Sequence, residues 1–192
     1  MTAAPLSRRA EFSALWTLAW PAVLGQLGWM AMGVTDVLMV GELGELPLAA
    51  VTVGHIWSFG VTIFAMGVMN GLDPFFAQSH GAKDSQAQGH ALARSILLAA
   101  LLSIPATLLH YAAGPMLEIL GQPAEVIDTA ATYCEAMALG CPPIMVFSAL
   151  RQFLQGGGWM RQPMIAVWIA NVANVGLNAL LMYGLWGFPR ME

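Results

Sequence analysis

The sequence predicts an all-α polytopic membrane protein, and three observations carry that reading. Hydrophobic residues make up 58% of the 192, charged residues only 9%, and the mean hydropathy is +0.67. Soluble domains carry roughly 25% charged residues, so this chain cannot clothe a water-facing surface with its own polar groups. Four uncharged runs, 12–35, 46–72, 95–117 and 162–189, each reach the roughly 20 residues that cross a bilayer core as helix. None of them alternates with the period of two that a membrane barrel strand needs.

Taken in order, the spans fall at about 13–41, 48–79, 93–113, 126–150 and 162–185. The fourth is the least obvious. Its uncharged stretch, 136–150, is short, and it becomes a span if the helix starts near Val126 and Glu135 finds a polar neighbour. The connections ELGELP, HGAKDSQAQGH, GQPAEV and GGGWMRQP are too short to hold a soluble domain, so 1–192 reads as one transmembrane domain. Glycines stud the first span (Gly25, Gly28, Gly33), and Gly67 and Gly71 form a GxxxG on the second. Small residues let membrane helices approach closely, and prolines such as Pro74, Pro105, Pro142 and Pro143 bend them where neighbours satisfy the freed carbonyls. Cys134 and Cys141, seven apart in the fourth span, read as packing residues rather than a disulfide framework.

Positive charge sets the expected orientation. Arg8, Arg9, Lys83, Arg94, Arg151 and Arg161 fall on one side of a five-span arrangement, and only Arg190 on the other. The positive-inside rule makes the first side cytoplasmic, which predicts a multi-pass protein of the plasma (inner) membrane with its N-terminus inside.

Polar groups inside the spans need a reason, because a charge at mid-helix costs roughly 2.5–3.5 kcal/mol on the insertion scale. Asp36 follows 24 uncharged residues and lies in the outer third of the first span. On the fifth, Asn171 and Asn174 are about 60° apart and Asn174 and Asn178 about 40°, so all three share one face. Asn178, 16 residues after Gln162, reaches about the depth of Asp36. A carboxylate and two amide oxygens at matching depth suit a hard cation, or a proton held in a hydrogen-bond network. Proton and substrate can then compete for one carboxylate. Interhelical hydrogen bonding alone is the plainer reading, and three asparagines beside an aspartate weigh against it. Asp73 with Pro74 reads as a helix bend, and Glu135 with Asp128 as a polar patch facing an outer vestibule. Gln26, Gln78, His55 and His110 are isolated. No HExxH, GxSxG or GxxxxGK[ST] occurs, so no enzyme chemistry and no metal site are expected.

The runs PAVLGQLGWMAMGVTDVLMVGELGELPLAAV, MNGLDPFFAQSHGA and LRQFLQGGGWMRQPMIAVWIANVANVGLNALLMYGLWGFP resemble the N-terminal half of MATE (multidrug and toxic compound extrusion) transporters. The resemblance covers nearly the whole chain in family order and spacing. It implies twelve helices in two six-helix lobes, exporting drugs or cationic amphipathic compounds against Na⁺ or H⁺ influx, with no other cofactor and no nucleic-acid partner. It also implies that Asp36, Asn174 and Asn178 form the cation- or proton-coupling site, with Asn171 a possible neighbour. Pro21, fifteen residues before Asp36, matches a proline at which some members bend. The family has about 450 residues, so the sequence reads as five spans of the N-lobe, expected to be inactive without the missing C-terminal lobe. A lipid-linked saccharide flippase of the related superfamily is the alternative transporter. Its cavity tends to hold several cationic residues, and within its spans this sequence has only Arg94, at the very start of the third. A non-transporting membrane scaffold, with asparagines that only pack, is the alternative of a different class.

Overall fold

The computed structural model describes residues 7–182, and across them helices joined by short turns are the only regular structure. Eight helices follow in order: α1 (Arg8–Gly41), α2 (Glu45–Asn70), α3 (Asp73–Gly81), α4 (Ser85–Tyr111), α5 (Ala113–Ile119), α6 (Ala124–Ala138), α7 (Cys141–Gly156) and α8 (Arg161–Met182). α1, α2 with α3, α4 and α8 are each long and apolar enough to cross a membrane, and α6 with α7 makes a fifth if the bent pair is one span. Residues 183–185 of the last expected span, and Arg190, lie outside the described residues.

The breaks have local causes. α2 stops at a turn over Gly71 and Leu72, two residues before the Asp73–Pro74 pair that the sequence marked as the bend. Pro74 then sits in the first turn of α3, where its missing N–H costs nothing. Lys83 takes a left-handed backbone, φ 54°, to turn the chain, and Asp84 caps α4 by accepting from the Ala87 N–H at 2.9 Å. The fourth expected span is two helices bent by 51° at Leu139 and Gly140. Pro142 and Pro143 follow at once. Neither can donate to the preceding turn, so α7 starts afresh instead of continuing α6.

The chain divides into two compact units. One joins α1 up to Thr35 with α8; the other runs over Asp36–Gly157. Within the second, Ala65, Met69, Ala99, Met145 and Ala149 form one buried cluster of α2, α4 and α7. Ala50, Leu117, Val126 and Ala130 form another, where α2 and α5 meet α6. Alanine supplies at least half of each, as suits close helix packing in a membrane. Gly54 belongs to the same logic: a Cβ there would lie 2.8 Å from Tyr133 Cδ1 and 3.1 Å from the Ala130 carbonyl oxygen. Gly67, by contrast, has nothing within 4 Å of its would-be Cβ, so the GxxxG reading of α2 does not mark the close approach.

Candidate functional site

In the first unit, α8 presents its asparagines in two different ways. Asn171 is buried, and its Nδ2 donates to the Gly28 carbonyl on α1 at 2.8 Å and to the Val167 carbonyl at 3.0 Å. That amide ties two helices together. The seat exists because residue 28 is glycine: a Cβ there would sit 2.7 Å from Val167 Cγ1 and 3.6 Å from the Asn171 nitrogen. Asn174 and Asn178 are half-buried one turn apart, and Asn178 Nδ2 approaches Asn174 Oδ1 at a long 3.5 Å. The face expected from helical periodicity therefore divides into a packing amide and an amide pair. Pro21 is buried within α1, which runs through it as one assigned helix. Just beside it, the Arg161 guanidinium stacks over the Trp20 ring at 5.4 Å.

Asp36 belongs to the second unit, half-buried on α1 five residues before that helix ends. Its carboxyl interacts electrostatically with Tyr133 on α6. Tyr133 is half-buried against Gly54, on a seam where Cys134 Sγ lies 3.5 Å from the Gly54 carbonyl oxygen and 3.6 Å from Ser58 Oγ. The sequence reading passed over Tyr133. The available signal was a lone phenol in an alanine-rich span, one residue before a cysteine.

The remaining polar groups sort themselves by burial. Asn70 Oδ1 accepts from Gln152 Nε2 at 2.9 Å, linking the end of α2 to α7. Arg151, next to Gln152, interacts electrostatically with Asp73 of α3. His110 is buried, with Nδ1 2.8 Å from the Ala106 carbonyl and 3.5 Å from Cys141 Sγ. Both cysteines are buried free thiols. Asp128 and Glu135 are exposed, and His55 stacks on Phe59 at 6.3 Å. Among the described residues, no group of three His, Cys, Asp or Glu could hold a metal ion.

Comparison with known proteins places these residues in context. The MatE family model matches residues 21–180, a stretch that contains Asp36 and all three asparagines. A probable multidrug resistance protein NorM of Bradyrhizobium diazoefficiens is 34% identical over 185 residues, 94% of this chain and 39% of that one. Multidrug resistance protein PmpM of Pseudomonas aeruginosa is 31% identical, covering 98% of this chain and 41% of its own length. A solved MOP superfamily transporter from Pyrococcus furiosus shares the fold with a TM-score of 0.78 at 24% identity, over 91% of this chain and 39% of that chain. The chain thus spans about two-fifths of the length of the curated relatives it matches. With the family model matched from the first span to the last, the chain belongs to the MatE family of membrane transporters.

Proposed function

We propose that the protein is a secondary antiporter that exports drugs or cationic amphipathic compounds, coupled to inward Na⁺ or H⁺. One observation carries the reading. The family match embraces an intramembrane carboxylate, Asp36, and an intramembrane amide pair, Asn174 and Asn178, in a chain whose relatives are named multidrug resistance proteins. Asp36 is the group that exchanges a proton or a sodium ion, since a carboxylate is the one side chain of the three whose charge changes. The asparagine oxygens are neutral acceptors that suit a hard cation without fixing it permanently. Asn171 supports them by holding α8 against α1. Six cationic residues on one side support a multi-pass placement in the plasma membrane with the N-terminus inside.

Ethidium efflux tests the reading. Cells expressing the gene that carries this sequence are compared with an Asp36→Asn variant across several pH values and sodium concentrations. Loss of efflux in the variant, with wild-type dependence on one of the two ions, is the expected result and names the ion. Full activity in Asp36→Asn returns the carboxylate and the asparagines to packing roles.

A further inference from the structure

A cavity of about 520 Å³ opens between α3 and the first turns of α4, and none of the residues assigned to coupling lines it. Leu72, Phe75 and Ala91 supply its apolar wall; Gln78, His90 and Arg94 supply its polar one. His90 and Arg94 are four apart on α4, so both look into the same mouth. Asp84 also lines it at the α4 cap, where one carboxylate oxygen accepts the Ala87 N–H and the negative charge is retained. Depth follows from the helix register. Arg94 is the last charged residue before the uncharged run 95–117, so it stands at the edge of the hydrocarbon. His90 lies four residues, about 6 Å, further toward water. Phe75 is 60% exposed on the same cavity, although a phenyl ring so placed gains nothing from water.

We infer that this cavity binds the headgroup of an anionic phospholipid. The Arg94 fork matches phosphate oxygens two at a time, His90 adds a second donor, and Gln78 can donate its amide to the glycerol or an ester carbonyl. The first part of an acyl chain then lies on Phe75 and Leu72 and continues into the bilayer. A free phosphate would use the arginine and leave the apolar wall bare, so the lipid is the occupant that satisfies both walls. The inference needs only that α4 crosses a membrane, and stands whether or not Asp36 couples transport.

The test is native mass spectrometry of the full chain, delipidated in detergent and titrated with phosphatidylglycerol or phosphatidylcholine of identical acyl chains. A His90→Gln/Arg94→Gln variant is compared with Arg8→Gln/Arg9→Gln, which removes as many basic residues from the start of α1. All four positions are exposed, so folding is retained, and circular dichroism verifies it. Wild type is expected to prefer phosphatidylglycerol. The cavity variant is expected to lose about fivefold or more of that preference, the terminal variant little, and inorganic phosphate at equal concentration is expected not to displace the lipid. No preference in wild type, equal loss in both variants, a preference that survives His90→Gln/Arg94→Gln, or displacement by inorganic phosphate each overturns the proposal.

Discussion

Gly156 ends α7 directly against Phe76 of α3, and a Cβ at that position would lie 2.5 Å from Phe76 Cβ and 3.3 Å from its carbonyl carbon. Phe76 cannot retreat. It is 2% exposed and meets Phe153 edge-on at 5.8 Å. Gly156→Ala is therefore expected to destabilise the protein by about 1–3 kcal/mol, as overpacking of a filled core does. Gly67→Ala, with open space around it, is expected to leave stability unchanged or raise it, because alanine is the better helix former. Thermal unfolding in detergent, followed by circular dichroism, separates the two; equal melting temperatures would show that Phe76 is not held as described. The same residue-scale reasoning separates the asparagines. Asn171 has given both donor hydrogens to carbonyls, so its amide is a structural bond, whereas Asn174 and Asn178 face one another.

At the scale of elements, α7 is fastened at its C-terminal end by polar contacts. Gln152 is buried and bonded to Asn70 of α2, while its Oε1, Arg151 Nε, Ser95 Oγ and Ser148 Oγ are buried atoms with no hydrogen-bond partner among the described residues. An amide bond in such surroundings holds two helices in register, and removing either end leaves the other unsatisfied. Asn70→Ala and Gln152→Ala are each expected to lower stability by about 1–3 kcal/mol. The double variant should cost clearly less than their sum, because the second substitution removes the group that the first left orphaned. Strict additivity in denaturant unfolding would mean that α2 and α7 are not coupled through this bond. At the other end of α7, the 51° break leaves helix α6 free to take its own direction, fixed by alanines and by the Gly54 seat on α2 rather than by α7.

For the whole molecule, orientation is the property on which a transport direction depends. The two ends of α4 make it measurable, since Ser85 and Glu125 are exposed beside opposite ends of that helix. With Cys134 and Cys141 at 0% and 2% exposure, background labelling is low. A membrane-impermeant maleimide is expected to label Glu125→Cys in intact cells, and Ser85→Cys only after permeabilisation. The reverse pattern would invert the orientation and place the basic connections outside. Much apolar surface on α1 and α8 is exposed in this chain, including Phe12, Trp16, Met30, Ile169 and Val172. In a membrane protein such surface meets lipid or neighbouring helices, and it needs no soluble partner.

The sequence by itself determined the solvent and the helical class, because hydropathy is additive over residues and the bilayer thickness turns it into a length. It also singled out Asp36, Asn174 and Asn178, since polar groups in hydrocarbon are conspicuous one at a time. Other features required the tertiary structure. Pro142 and Pro143 marked a bend in the fourth span, but that the span parts there into two helices at 51° was for the structure to decide. The electrostatic interaction of Asp36 with Tyr133 comes from another helix, nearly a hundred residues along the chain. The separation of Asn171 from the amide pair depends on a glycine of α1 that lets a carbonyl come within 2.8 Å. The cavity at His90 and Arg94 exists only because α3 and α4 fold back on each other. Composition is a property of one chain segment and its solvent; a contact is a property of two segments, and only packing decides which two.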